Sequence, residues 1–332
     1  MHRAVRVAVT IAATAVGVLA FAAPAQAHTL HYGDDASNWV SRITAIEPVG
    51  AVHARIGDDV QRLTVSLGNA RHVVIEGYDD EPFVLLRPGG AWLNTRSGTD
   101  TPTPPQWHRV ANTSSWTWHD TRTHWPGYTL PPPVETNPNQ RQQVLDWQVG
   151  LRADGAPGAI SGTLDWVPGP SGESGAAIAT AAFAALLALA LVARRTAVIS
   201  AALVALIAFD VVHSAGMVAG RVGSVGYRLA ALPGHGVLPL LLWIFGIGTV
   251  VLLHRRREFA LYAAAMLAAL FCFTEALPSL AILWHSQAIN SLPIALNRAL
   301  VAVLTGVSVA TVTAAVIVIV RTGRHITTGG HA

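Results

Sequence analysis

The segment SSWTWHDTRTHW, residues 114–125, holds the densest set of side chains able to bind a metal or move a proton. Alternate residues of a strand share a face, so Asp120 and His124 lie together and His119 points away. A helical period gives the same grouping. His119 and His124 can therefore bind one ion only if a turn separates them. The Asp120–His124 pair suits a metal site, a general base or a buried ion pair, and we favour the ion pair because Arg122 neutralises Asp120.

A second set of possible ligands lies at the start of the mature chain. Residues 1–27 carry arginines, an apolar run and then small residues, which is typical of a cleaved signal peptide. Cleavage after Ala27, which we favour, exposes His28 with its α-amine and imidazole as two copper donors, and His31 follows. Cleavage after Ala25 instead places His28 third, which is another copper(II)-binding arrangement. The alternative is a solvated polar tail.

A third set lies within apolar stretches. Asp210 and His213 are one helical turn apart, with Met217 one turn further, and Cys272 and Glu275 repeat the spacing. Ionisable residues inside a membrane are costly and are functional by default. Both carboxylates lie roughly 12 to 14 Å below the outer ends of their helices, at ~1.5 Å per residue. The equal depth predicts a shared site.

Other polar residues gather at the same outer side of the expected helices. This asymmetry argues against a channel or pump, which needs polar groups along its whole path. Two interpretations stay open: a metal or small-ligand pocket roofed by the exported domain, or carboxylates paired with a histidine or arginine only to fix helix packing. The additional residues are His235, His285, Asn297 and Arg298.

Charge divides the chain into two parts. Residues 28–173 contain 16 acidic residues and 10 arginines, whereas the remainder of the mature chain contains 3 acidic residues and 10 arginines. Because the exported part is acidic, a nucleic-acid partner is excluded. The single cysteine, Cys272, excludes an intrachain disulfide, so the exported domain must be stabilised by its core.

Five apolar runs predict a five-helix transmembrane domain over residues 176–320. Each run is close to the ~20 residues that a helix needs to cross ~30 Å of hydrocarbon. A linker at 171–175 precedes the domain, and a tail at 321–332 follows it. The runs span residues 176–193, 197–219, 236–253, 259–283 and 294–320.

Arginine placement predicts the orientation in the cell membrane. Seven arginines lie at alternate boundaries of the apolar runs, at 194–195, 255–257 and 321–324. Since short cytoplasmic loops collect positive charge, these boundaries are expected inside the cell. The N-terminal domain is therefore expected to be extracytoplasmic and the C-terminus cytoplasmic, in agreement with the signal peptide.

Residues 28–170 have the pattern of an all-β domain. Short runs such as QRLTVSL, HVVIEGY and QVLDWQVGL alternate apolar and polar residues and are bounded by turn signals. Asp154 and Gly155 predict a hairpin between the last two strands. We expect an Ig-like sandwich of roughly seven strands. The predicted fold class is therefore α+β and multidomain, with an extracytoplasmic all-β sandwich followed by a five-helix transmembrane bundle.

Three segments carry a resemblance to a known family: GYDDEPFVLLRPGGAWLNTRSG (77–98), WTWHDTRTHW (116–125), and DWQVGL followed by SGTLDWVPGP. They resemble uncharacterised bacterial membrane proteins in which a secreted β-domain precedes a helical membrane segment. The family pattern is W-H-D-H-R-x-H-W, and Thr121 stands where it has a histidine, a departure that weakens a metal site inferred from the motif. The resemblance implies an architecture and no activity.

These patterns predict a non-enzymatic membrane envelope protein that binds a ligand at its outer face, with copper or another transition metal as the ligand, for uptake or protection. The chain lacks the phosphate-loop, G-x-S-x-G, HExxH and CxxC motifs. The alternatives are a protein-interaction or envelope-assembly module, with an envelope protein and the lipid bilayer as partners, and intramembrane acid/base catalysis. The predicted metal-binding residues are His28, His31, His119, Asp120, His124, Asp210, His213, Met217, Glu275 and His285.

Overall fold

A computed structural model describes residues 36–57, 62–98, 104–127, 129–193, 195–220, 237–257 and 259–328. The described chain is of mixed α+β class, with a β-rich N-terminal region and a helical C-terminal region, as the sequence predicts. His28, His31 and His235 lie outside the described residues, as do the predicted signal peptide and its cleavage site.

The strands pair without exception in antiparallel fashion within the described ranges. They are β1 (Ala36–Ser37), β2 (Trp39–Glu47), β3 (Val52–Ile56), β4 (Arg62–Leu67), β5 (Val73–Glu76), β6 (Pro82–Arg87), β7 (Gly90–Asn94), β8 (Trp107–Ala111), β9 (Ser115–His119), β10 (Gln142–Ala153), β11 (Ala156–Trp166) and β12 (Gln287–Ala288).

Strands β2 to β11 form two sheets that share one hydrophobic core. A seven-stranded sheet has the order β2-β11-β10-β5-β6-β7-β8, and a three-stranded sheet has the order β3-β4-β9. The long β10–β11 hairpin turns at Asp154 and Gly155, whose φ angles of 50° and 88° suit the predicted turn. We call β1 to β11 the β-domain.

Period-two patterning explains how this core forms. In β4, Leu63 and Val65 are fully buried while the residues between them are partly exposed, and β6 repeats the pattern with Val84 and Leu86. Successive side chains of a strand point to opposite faces, so such runs present one apolar face to the facing sheet. Each fully buried side chain of this size contributes about 1.5–3 kcal/mol. The core therefore stabilises the β-domain without a disulfide.

The helical region follows β11. A short helix within the β-domain, α1 (Pro132–Thr136), precedes it. A π-helical turn (Cys272–Ala276) and a 3-10 turn (Leu280–Leu283) continue the line of α5 and α6. The helices of the region are α2 (Glu173–Val192), α3 (Arg195–Gly220), α4 (Val237–His254), α5 (Ala260–Phe271), α6 (Leu277–Ser279) and α7 (Ile294–Thr328).

Four helical segments in the described chain are long and apolar enough to cross a membrane: Glu173–Val192, Thr196–Gly220, Ala260–Leu283 and Ile294–Arg321. The fourth predicted crossing includes the π-helical and 3-10 turns, which the sequence did not predict. The remaining predicted crossing corresponds to α4, a shorter apolar helix. These features identify a membrane-associated helical region.

Helix α7 is the central helix of this region and packs against α2, α3 and α5. Thr305 and Thr311 are buried on this helix but bond to its own main chain, since they donate to the carbonyls four residues earlier, at 2.8 and 2.7 Å. Gly306 allows close approach to α2, since a Cβ there would lie 2.2 Å from the carbonyl oxygen of Ala179. Small residues at such crossings are typical of membrane helices.

The β-domain is attached to the helical region by a short two-stranded sheet. Strand β1 pairs with β12, which lies in the loop before α7, and Ala36 faces Ala288. The main-chain N–H of Ser286 donates to Asn38 Oδ1 at 2.9 Å. The side chain of Gln287 also donates to the carbonyl of Trp39. These contacts fix the β-domain on one end of the helices.

Candidate functional site

The WHDTRTHW segment changes conformation immediately after β9. Trp116 and Trp118 share a strand face and pack against the β-domain core, as predicted. A 3-10 turn, Thr121–Thr123, then replaces the regular strand or helix considered from the sequence. Asp120 caps this turn, because its Oδ1 accepts from the N–H of Arg122 at 3.0 Å.

The Asp120 carboxylate is completely buried and fully engaged. It accepts from Trp118 Nε1 at 3.0 Å and from Arg122 Nε and Nη2 at 2.9 and 2.7 Å. The guanidinium also donates to the carbonyl of Gly77 at 3.0 Å and lies 4.8 Å from the Tyr78 ring centroid. Asp120 therefore forms a buried ion pair with Arg122, and Arg122 links the turn to the segment around Gly77.

The turn brings the two histidines together, which neither regular conformation does. The ring centroids of His119 and His124 lie 5.0 Å apart, with an angle of 83° between the planes. The His124 side chain contacts the main chain of Asp120, since His124 Nδ1 lies 3.1 Å from the carbonyl oxygen of Asp120. His119 is exposed and His124 is partly buried.

A second constellation lies where α3 meets the loop before α7. Gly216 and Gly220 allow this loop to lie directly on the helix, because a Cβ at either position would lie less than 3 Å from Asn290. The N–H of Ser291 donates to the carbonyl of Gly216 at 3.0 Å, and Asn290 Nδ2 donates to the carbonyl of His213 at 3.3 Å. The loop therefore covers the face of α3 that carries His213 and Met217.

His213 is almost completely buried and is held on both sides of its ring. Nδ1 lies 2.8 Å from Asn297 Oδ1, and Nε2 lies 3.2 Å from Ser279 Oγ. An amide oxygen can only accept a hydrogen bond, so Nδ1 carries the proton and Nε2 carries the lone pair. The imidazole therefore directs an electron-pair donor toward Ser279.

A cavity of about 40 Å³ opens beside this histidine, between the β-domain and the helical region. A single water needs roughly 10–15 Å³ of such space, so the cavity fits a few waters or a metal ion, and a drug-sized organic molecule is too large for it. The cavity is lined by Ala36, His213, Met217, Pro278, Ser279, Ala281, Ile282, Ala288, Ile289 and Asn297.

The two membrane carboxylates occupy a separate position. Asp210 is completely buried and accepts from Trp243 Nε1 at 2.7 Å, while its Oδ1 has no hydrogen-bond partner. Glu275 lies on the π-helical turn and accepts from Thr274 Oγ1 at 3.1 Å. The two carboxyl groups are close enough to interact electrostatically.

Arg298 and His285 organise the loop that carries β12. Arg298 donates to the carbonyls of Ile282 and His285 at 3.1 and 2.6 Å. His285 Nδ1 lies 2.6 Å from the carbonyl oxygen of Ala281. Both residues bind main-chain oxygens at the end of a helical segment, where the positive charge of Arg298 is favourable. Neither lines the cavity.

The predicted metal-binding residues thus fall into separate groups. His213 and Met217 line one cavity, Asp210 and Glu275 interact elsewhere, and His119 and His124 meet on the β-domain. Within the part of the chain that the structure describes, no three His, Cys, Asp or Glu side chains form a group able to hold a metal ion.

Three residues that contact or position the candidate ligands were not identified from the sequence. Ser279 and Trp243 contact His213 and Asp210 directly, and Asn290 positions the loop over α3. Pro278, a helix-disturbing residue inside an apolar run, was the signal that could have drawn attention to Ser279. Tryptophan is common at the ends of membrane helices and asparagine is common in loops, so the other two residues carry no local signal.

Comparison with models of protein families, with curated proteins and with solved structures finds no match to this chain.

Proposed function

We propose that this protein is a non-enzymatic, multi-pass cell-membrane protein that binds a ligand where the β-domain meets the helices, and that the ligand is copper or another transition metal. The observation that carries the proposal is the cavity lined by both His213 and Met217. These residues are one helical turn apart on α3 and offer an imidazole nitrogen and a thioether sulfur. The site would serve metal uptake or protection against the metal.

The donor set favours copper(I). Thioether sulfur is a soft ligand that copper(I) prefers, and imidazole nitrogen also suits copper. Asn297 orients the ring through Nδ1, as hydrogen-bond partners of metal-bound histidines commonly do, and so leaves Nε2, which faces Ser279, as the electron-pair donor. Rotation of the Ser279 hydroxyl would release that nitrogen to the ion. The small volume of the cavity supports an ion rather than an organic ligand.

The proposal includes five membrane crossings with the β-domain, an Ig-like sandwich, outside the cell and the C-terminus in the cytoplasm. Helix α4 has 18 residues, which span about 27 Å at ~1.5 Å per residue and nearly match ~30 Å of hydrocarbon. The arginines at 194–195, 255–257 and 321–324 support this orientation. The cavity then faces the outer leaflet.

A second candidate function is an envelope-assembly module that presents the β-domain to a protein partner. The observation that favours it is the rigid attachment of that domain, through the β1–β12 pairing and the hydrogen bond from Ser286 to Asn38. In this case the His213–Asn297 and His213–Ser279 contacts serve only to fix the packing of the helices.

Copper(I) titration of the full-length protein, purified in detergent and kept anaerobic, separates the two functions. A colorimetric copper(I) chelator competes for the metal, and elemental analysis gives the content per chain. We expect about one copper(I), with the affinity falling at least about tenfold in His213→Ala and in Met217→Leu, because each substitution removes one ligand.

Met266→Leu is the matched control, since Met266 is 61% exposed on the surface of the helical region, away from the cavity. It should bind copper(I) as the parent protein does. Equal affinity in the parent, His213→Ala and Met217→Leu proteins would contradict the metal site and leave the assembly function.

A further inference from the structure

The surface of the β-domain carries a histidine pair that is independent of the cavity beside His213. We propose that His119 and His124 together bind a divalent transition-metal ion of the zinc class. The 3-10 turn at Thr121–Thr123 sets the two rings side by side at the end of β9. Neither ring belongs to the helical region, so this proposal can be tested independently of the copper proposal.

The ring separation matches shared coordination of one ion. A zinc ion lies ~2.0–2.1 Å from each imidazole nitrogen, which places each ring centroid about 3.2 Å from the metal. A tetrahedral angle between the two ligands then sets the centroids about 5 Å apart. The observed separation of His119 and His124 is 5.0 Å. His119 is exposed, so its ring can rotate to turn a nitrogen toward an ion bound at His124.

The hydrogen bond of His124 fixes the tautomer that a metal ligand needs. Its Nδ1 faces the carbonyl oxygen of Asp120 at 3.1 Å, and because that oxygen only accepts, Nδ1 carries the proton and Nε2 carries the lone pair. A histidine whose Nδ1–H is bound to a main-chain carbonyl is a common arrangement in metal sites.

The support beneath His124 is rigid. The same Asp120 carbonyl accepts from Thr123 Oγ1 at 2.9 Å, and the Asp120 side chain is held by Arg122 and Trp118. The N–H of Thr121 donates to Tyr78 Oη at 3.0 Å, which anchors the start of the turn. A turn held at these points loses little conformational entropy when a metal binds, and this favours affinity.

Two protein ligands leave the other positions of a tetrahedral ion to water. A site of this kind is open, as catalytic zinc sites are, whereas structural zinc sites use four protein ligands. The ion can therefore be exchanged with solvent or shared with a ligand from a partner. We expect binding that depends on pH, because metal and protons compete for the same nitrogens.

Zinc titration of the full-length protein by calorimetry tests this site. His119→Ala and His124→Ala should each weaken zinc binding at least about tenfold, since each removes one of two ligands. His108→Ala, which removes an exposed histidine from β8, is the matched control and should bind zinc as the parent does. Cobalt(II) should give the intense visible bands of a tetrahedral site in the parent and lose them in His119→Ala.

Two outcomes would overturn the proposal: unchanged zinc affinity in His119→Ala, or the absence of zinc binding in the parent protein. Because His119 is exposed, its replacement leaves the core in place, and an unchanged unfolding temperature verifies this. The variant His213→Ala should keep its full zinc affinity at this site. Failure of the copper proposal therefore leaves this one intact, and failure of this one leaves the copper proposal intact.

Discussion

The side-chain oxygen of Asn38 in the β-domain accepts a hydrogen bond of 2.9 Å from the main-chain N–H of Ser286, 248 residues away in the helical region. The carbonyl of Asn38 is also engaged, since it accepts from the N–H of Val167 at 2.8 Å, a few residues before α2. Asn38 therefore links the first strands of the β-domain both to the segment that leads into α2 and to the loop before α7. The cavity at His213 lies against this connection.

Asn38→Ala should loosen the attachment without unfolding either part. Loss of one such hydrogen bond costs about 1 kcal/mol, which corresponds to about a fivefold increase in local opening. Hydrogen exchange should therefore accelerate in β1 and β12. Asn139→Ala, in an exposed loop, serves as the control and should leave exchange there unchanged. If both variants exchange alike, the attachment does not depend on Asn38.

Removal of the Asp120–Arg122 pair should destabilise the β-domain strongly. Asp120 is completely buried and Arg122 is 20% exposed, so Asp120→Ala leaves an arginine whose partner is missing inside the domain. Breaking such a pair costs about 3–5 kcal/mol, and partial exposure of Arg122 places the expected loss near the lower value. Thermal unfolding followed by tryptophan fluorescence gives the measurement.

The exposed Arg55 on β3 provides the comparison for that experiment. Surface substitutions of this kind usually change stability by no more than about 0.5 kcal/mol, so Arg55→Ala should cost little. A loss in Asp120→Ala no larger than that in Arg55→Ala would show that the buried pair contributes little to stability.

Local patterns in the sequence predicted much of the β-domain. Leu63, Val65, Val84 and Leu86 alternate with polar or partly exposed residues, and such alternation determines which strand face is buried regardless of the partner strand. The turn after His119 was not predicted, because it depends on Asp120 being buried by Arg122. That contact exists only once the segment around Gly77 has packed beside it.

The candidate site was harder to predict, because it is formed by contacts between residues that are distant in sequence. The helical spacing placed His213 and Met217 on one face, and the structure confirms this by bringing both to one cavity. The other walls of the cavity come from Ala36 and Ala288, which meet through the β1–β12 pairing. Two-residue strands have too little pattern to be recognised, so the closure of the site by the β-domain could not be predicted.

Enlarging Gly306 should separate α2 from α7. A Cβ at this position would lie 2.2 Å from the carbonyl oxygen of Ala179, and main chain cannot move aside as a flexible side chain does. Gly306→Ala should therefore destabilise the helical region by about 1–3 kcal/mol, the usual cost of overpacking. Thermal unfolding in detergent gives the measurement.

Gly248→Ala on α4 is the matched control for the crossing, since a Cβ there meets nothing within 4 Å. Alanine also has the higher helix propensity, so this variant should be as stable as the parent or slightly more stable. Equal stability of the Gly306→Ala and parent proteins would contradict the close crossing of α2 and α7.

Acid should weaken the hairpin between β10 and β11 through Asp154. The main-chain N–H groups of His72 and Arg71 donate to this carboxylate and hold its pKa below the ordinary value of 3.8. A lowered pKa in the folded protein means that the contribution to stability is present above pH 3.8 and is lost as the pH falls through the folded-state pKa.

Asp154→Asn isolates this effect, because asparagine also tolerates the φ angle of 50° at this position. The parent should be the more stable protein near neutral pH, and the difference between the two should shrink as the pH falls below about 4. Urea unfolding at a series of pH values measures the difference. A difference that stays constant over the whole acid range would contradict the role of the Asp154 carboxylate.

The orientation of the chain can be read from cysteine labelling in intact cells. Val49 is 88% exposed in the β-domain, and the native Cys272 is buried within a membrane-length segment. A membrane-impermeant maleimide should label Val49→Cys without cell lysis, because we expect the β-domain to lie outside. Arg255→Cys, in the exposed loop after α4, should be labelled only after lysis. The parent protein should stay unlabelled in both conditions. The reverse labelling pattern for the two variants would show that the topology is opposite to the proposed one, with the cavity at the cytoplasmic side.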